Sequence, residues 1–266
     1  MEAQSTRRCI DFWYTQKAHV TGLFSGMGGV LSDTVLCMFD GSGIMGHEWA
    51  KNGYKVICLN YDGADHGGYE SIRIKHKNIE YINVWIDDQF NPVEIGLCKP
   101  SIIFAFPPCT DMAVSGAAHF ARKAAKDPLF QIKAVNTAKV AARLADEYGC
   151  PYMIENPVSV LSSLWRKPDH SFHPYEYGGY LSENDVHPFF PEYIKPRDAY
   201  PKKTCLWTGN GFKMPEKLPV PVLSGYSDQH LKLGGKSKKT KVIRSLTPRG
   251  FAKAVFLYND FRRVGG

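Results

Sequence analysis

Three short stretches of this 266-residue chain carry side chains able to do chemistry on a bound ligand. Cys109 follows Pro107 and Pro108 at the end of an apolar run, 101–106. The prolines stiffen the backbone ahead of it, so the thiol stands on a rigid loop, as a nucleophile must. A solitary cysteine is otherwise a small buried hydrophobe. Glu155, in Glu155-Asn156-Pro157, ends a second apolar run, Tyr152-Met153-Ile154. Partial burial there raises a carboxyl pKa, so the group can hold or share a proton. The plainer alternative is a carboxylate that caps a helix or pairs with a lysine. Phe39-Asp40-Gly41-Ser42-Gly43 is a glycine turn closing a third run, 34–39. Bare backbone lets a nucleoside-bearing cofactor approach closely, and the spacing is not the G-x-G-x-x-G of nicotinamide sites. A second cluster, Phe24-Ser25-Gly26-Met27-Gly28-Gly29, competes with it but has no strand of convincing length before it.

These stretches need a frame that gathers strand ends. Apolar runs rich in strand formers predict strands at 34–39, 54–60, 79–85, 101–106 and 152–154. A helix opens at Ile44 and stops near Asn52-Gly53. Leu129, Ile132, Val135, Val140, Leu144 and Tyr148 recur at helical spacing, which predicts a long amphipathic helix over 128–148. Strands alternating with helices make a doubly wound, mostly parallel α/β sheet, and such sheets bind ligands beyond the carboxyl ends of their strands. After Pro157 the texture changes. Residues 158–235 are rich in Pro, Gly, Tyr, Trp and His, and only 203–207 is strand-like. Residues 158–243 read as a small irregular insertion between 1–157 and 244–266. Within it, 234–241 is a basic loop. A last helix starts at Pro248, with Thr247 as its N-cap, and runs to about Asn259.

At 44% hydrophobic and 22% charged the chain can bury a core, which excludes disorder as the dominant state. No run approaches the roughly 18 apolar residues of a membrane helix, and the first residues do not read as a signal peptide. Seven cysteines without a C-x-x-C argue against a disulfide framework and a structural zinc, and for a reducing cytoplasm. No metal is expected. The net charge of +7 is uneven: from Lys202 onward 14 basic residues face three acids, whereas residues 1–201 carry a net −4. A basic C-terminal quarter is the footprint of a polyanion binder; the bland reading is a solvated lysine face.

Together, Phe-Asp-Gly-Ser-Gly at 39–43, Pro-Pro-Cys-Thr-Asp-Met-Ala-Val-Ser-Gly at 107–116 and Glu-Asn-Pro at 155–157 resemble the DNA cytosine-C5 methyltransferases in order and spacing. The likeness covers 34–157, returns at 244–259, and looks most like the compact bacteriophage versions. It implies an α/β fold of the S-adenosylmethionine-dependent methyltransferase type acting on duplex DNA with a flipped cytosine; the oligomeric state stays open, with a monomer slightly favoured. Cys109 would attack carbon 6 and Glu155 would hold or protonate N3. S-adenosyl-L-methionine would be held by Phe39, Asp40, Gly41, Gly43 and Pro107. Asn60 would take the acidic position at the ribose hydroxyls, Tyr61 would stack on adenine, and Asp87 or Asp88 would accept from the adenine amino group. Pro108, Ser115, Asn156 and Pro157 would line the base site. Lys203, Lys236, Lys238, Lys239 and Arg244 would meet the DNA, with sequence selectivity that is short or loose.

This sequence departs from the family pattern in three places. The Gln-x-Arg-x-Arg segment that helps hold the base is not visible, and Lys202-Lys203-Thr204 stands where it is expected. Gly250-Phe251-Ala252-Lys253-Ala254-Val255 replaces the usual Gly-Asn-Ser/Ala-Val. Asn60 removes a negative charge from the ribose site, which suits a cofactor carrying its own carboxylate. Two alternatives stay open: C5 chemistry on RNA or free nucleotides, and a non-catalytic DNA-binding relative.

Overall fold

Each apolar run that ends in a glycine or proline turn becomes a strand. The structure, a computed structural model, describes residues 33–63, 68–222, 229, 232–233 and 237–263. Strands β1 (Thr34–Met38), β2 (Lys55–Asn60), β3 (Ile79–Asn83), β4 (Ile102–Ala105) and β5 (Tyr152–Pro157) run parallel. Strands β6 (His170–Phe172) and β7 (Thr204–Gly209) complete a 7-stranded sheet of order β3-β2-β1-β4-β5-β7-β6, with β7 antiparallel to both its neighbours. The α-helices that lie wholly within the described residues are α1 (Ile44–Lys51), α2 (Phe120–Lys126), α3 (Phe130–Tyr148), α4 (Leu161–Leu164), α5 (Lys238–Ser245) and α6 (Arg249–Asn259).

Side chains alternate across a strand, and here both faces are covered, as a parallel sheet requires. Val35, Cys37, Val56, Cys58, Ile102 and Phe104 pack in one core with Trp49 of α1 and Phe256 of α6. Leu36, Met38, Ile57, Leu59, Ile103 and Ala105 pack in the other with α3. The chain is thus a Rossmann-like α/β sheet flanked by helices. Its strand order reverses between β1 and β4, and a crevice opens at such a point beyond the strand ends.

The structure departs from the expected layout in several places. The segment 158–243 is not wholly outside the sheet, because β6 and β7 extend it past β5. Without β7 the buried strand β5 would have an open edge. Residues 238–245 form helix α5 rather than a loop; Ser237 Oγ caps it, accepting from Thr240 N at 3.0 Å, and Thr240, Val242 and Ile243 are buried. Thr247 does not cap α6. Pro248 holds the N-cap position without a side-chain bond, and Gly250 N donates instead to buried Asp198 Oδ2 at 2.9 Å. A carboxylate from a distant loop satisfies a free N–H of the first turn. Cys98 is disulfide-bonded, which runs against the expectation of reduced cysteines; Cys37, Cys58, Cys109, Cys150 and Cys205 are free thiols. Among the described residues no helix is long and apolar enough to cross a membrane. The glycine cluster at 24–29 and Lys236 lie outside the described residues.

Candidate active site

The glycine turn is built by one carboxylate. Asp40 Oδ1 accepts from Ser42 N at 2.8 Å, Ser42 Oγ at 2.9 Å and Gly43 N at 2.8 Å, an Asx-type local network. The chain reverses sharply at both ends: Phe39 takes φ 58° and Gly43 takes φ 75°. Glycine adopts that region freely, whereas phenylalanine is strained there, and strain of this kind gathers at ligand sites. Asp40 is 4% exposed, burial raises its pKa, and its Oδ2 has no hydrogen-bond partner among the described residues. Below the turn Cys37 and Cys58 face each other across β1 and β2; their sulfurs and an Asp40 oxygen lie within 4.8 Å of one another.

The Cys109 loop is stitched to the segment after β5. Cys109 O accepts from Met112 N and Ala113 N, Val114 N donates to Val158 O, and Val160 N donates to Met112 O. Asn156 Nδ2, on a residue 1% exposed, donates to Pro107 O at 3.0 Å. Cys109, on its loop, and Glu155, on β5, are therefore held so that they cannot slide past each other. Cys109 is exposed at the cavity mouth but closely surrounded. Burial and then the Glu155 charge push its thiol pKa up, and Lys202 pulls it down. Burial raises the pKa of the half-buried Glu155 as well, against the same lysine. A carboxyl raised in this way keeps its proton to higher pH than a free one, which suits it to serve as an acid.

A single cavity of about 950 Å³ joins these parts. Phe39, Asp40, Gly41, Asn60, Tyr61 and Pro107 line it together with Pro108, Cys109, Ser115, Glu155, Asn156 and Pro157. Lys203 and Arg244 line its mouth. Asn60, 6% exposed, donates to Asp62 Oδ1 at 2.9 Å, and Arg73 clamps both oxygens of Asp62 at 2.7 Å. Tyr61 meets Trp85 edge-on, with ring centroids 5.1 Å apart.

Other expected site residues lie elsewhere. Gly43 supplies the N-cap of α1 rather than a cavity wall. Asp87 and Asp88 do not line the cavity; Ile86 does, and Asp87 Oδ1 closes its own turn by accepting from Gln89 N at 3.0 Å. Lys238 and Lys239 are exposed on α5 away from the lining, and Lys239 sits over the Tyr193 ring, 4.5 Å from its centroid.

Lys202, which the sequence marks with no site role of its own, joins the site. It lines the cavity and its Nζ donates to Arg244 O at 2.7 Å, near the C-terminus of α5. Free carbonyls at a helix C-terminus attract a cation, so this ammonium is anchored beside both catalytic candidates. Tyr69 and Trp85 also line the cavity and stand in no motif. Comparison with protein-family models gives no match, and no curated protein matches the chain.

Proposed function

We propose that this chain is a DNA cytosine-C5 methyltransferase that uses S-adenosylmethionine, with the α/β sheet of that enzyme type. The supporting observation is that one cavity joins the Cys109 thiol on its proline loop, a carboxyl whose pKa burial raises and a glycine turn at the strand ends. The residues suit the cofactor. The turn presents bare backbone at Gly41, and the Tyr61–Trp85 pair offers aromatic surface for a purine.

Cytosine inside a duplex cannot reach Cys109, so the nucleotide turns out of the stack, at a cost of a few kcal/mol. The Cys109 thiolate bonds to carbon 6 as the carbon 5–carbon 6 π electrons move into the ring. The proton held by Glu155 passes to N3, which leaves a neutral enamine with a nucleophilic carbon 5. Bound cofactor supplies an electrophilic methyl group. Once carbon 5 has accepted it, loss of the carbon 5 proton to a base expels the Cys109 thiolate, and N3 returns its proton to Glu155, which restores the neutral aromatic ring. The Asn156–Pro107 bond keeps thiol and carboxyl in register throughout. Lys203 and Arg244 at the mouth favour an extended polyanion over a free nucleotide.

DNA carrying 5-fluorocytosine tests this reading with S-adenosylmethionine present. Fluorine cannot leave as the proton does, so a covalent adduct should accumulate on the peptide containing Cys109. No adduct, or one on another cysteine, overturns the assignment. A second reading concerns the transferred group. Asn60 is neutral and the nearby Asp62 is already clamped by Arg73, so the ribose end suits a cofactor with an added carboxylate. Mass spectrometry of product nucleosides decides, and 5-methylcytosine alone ends that version.

A further inference from the structure

Two links meet at adjacent residues in the last turn of α5. One comes from Tyr69, in the connection between β2 and β3, which is 8% exposed and lines the cavity. Its hydroxyl shares a 2.8 Å hydrogen bond with Oγ of Ser245, the last residue of the helix. Ser245 Oγ spends its own hydrogen on Val242 O at 2.8 Å, so Tyr69 is the donor of the pair. The Tyr69 ring is itself seated: a Cβ built on Gly41 would stand 2.4 Å from its Cδ2 and 2.5 Å from its Cγ, so it lies against the bare backbone of the glycine turn. The other link is Lys202 Nζ, which donates to the carbonyl of Arg244 at 2.7 Å.

The last carbonyls of a helix have no N–H partner within it, and its last turn frays unless something ties it. A lysine ammonium ends a flexible stem, so it stands where its acceptor stands. The tie from Tyr69 therefore decides where Lys202 rests. Lys202 shares the cavity with Cys109 and Glu155. The wall also carries Lys203, Lys241, Arg244, His173 and Asp111 from neighbouring elements, but the charges that reach the thiol are those of Glu155 and Lys202. Burial keeps the Tyr69 phenol neutral, so it adds no charge of its own.

We propose that Tyr69 is a positioning residue: by holding the last turn of α5 it fixes the carbonyl on which Lys202 rests, and so sets the distance from that ammonium to the Cys109 sulfur. The proposal rests on the reading of Cys109 as the nucleophile and asks nothing of the cofactor or of DNA.

Iodoacetamide alkylation of the full chain across a pH series tests it, read by mass spectrometry of the peptide containing Cys109. Only the thiolate reacts, so the midpoint of the rate–pH curve reports its ionisation. A cation held close favours the thiolate, and a cation that drifts away lets the midpoint rise. Tyr69→Phe removes the donor and Ser245→Ala its acceptor, while buried Thr240, Val242 and Ile243 still seat α5 on the core. Each variant should raise the midpoint by about half a pH unit, and less than Lys202→Met does. In a Lys202→Met background Tyr69→Phe should add nothing. An unchanged midpoint in Tyr69→Phe or Ser245→Ala overturns the proposal, because Tyr69 is then only a packing partner of Gly41. A shift that persists without Lys202 overturns it too, because the phenol then acts on the thiol directly. A chain that alkylates as expected yet forms no adduct with 5-fluorocytosine DNA keeps this link and loses the reaction proposed above.

Discussion

The two ends of the cavity are built in opposite ways. At the glycine turn, one side chain organises its own neighbours: every bond to Asp40 Oδ1 comes from within three residues. At the thiol end, the parts come from the loop after β4, the last turn of β5, the entry to β7 and the end of α5. Asn156–Pro107 and Lys202–Arg244 hold them, across 49 and 42 residues of sequence. The first end can form as soon as β1 and β2 pair. The second needs the whole sheet, so its geometry depends on the fold's global stability.

That contrast can be broken by substitution. Cys109→Ser should abolish group transfer, by three orders of magnitude or more, while DNA binding in a filter or anisotropy assay stays intact. Unchanged activity would mean that the nucleophile is elsewhere. Glu155→Gln keeps the shape but has no acidic proton to give, and single-turnover rates should fall about 10²–10⁴-fold. Lys202→Met should act through the thiol. Burial and Glu155 already raise the Cys109 pKa and Lys202 lowers it, so removing the cation pushes the thiol higher still. The ascending limb of the rate–pH profile should then move to higher pH, with a loss on the order of ten-fold near neutrality that recovers on raising the pH; Lys202→Arg should restore it. An unshifted profile would leave Lys202 a mere tether.

The turn end should fail more gently. Asp40→Ala removes three hydrogen bonds and should lower stability by about 1–3 kcal/mol in thermal unfolding, with weaker cofactor binding and an unshifted rate–pH profile. The smallest effect belongs to the rim. Lys203→Met should flatten the slope of log affinity for DNA against log salt by about one and leave the cofactor Kd alone.

Much of this layout could be read from residues in order. Strands β1, β2, β4 and β5 are apolar on both faces and stop at glycine or proline, so their ends, and with them Cys109 and Glu155, were legible. What stayed hidden depends on pairing that no local period encodes. Residues 203–207 read as a strand, but nothing in them says that they enter the sheet beside β5 and antiparallel to it. Their register puts Leu206 opposite Glu155 and Thr204 opposite Pro157, and so brings Lys202 to the rim. Asp87 looked like an adenine partner because of its place after a strand, yet the chain turns there and its carboxylate faces its own backbone. Tyr69 stands in a connection without a motif, and its tie to Ser245 spans 176 residues.

The reversed direction of β7 has a consequence for how such a protein can change. A parallel strand would enter the sheet at the opposite rim and reach this one only at its far end. Running backwards, β7 has its beginning here, so the whole stretch from β6 to Pro201 feeds straight into the substrate mouth. Lengthening or rewriting that stretch alters what stands over Cys109 and leaves the glycine turn at the other end of the cavity as it was.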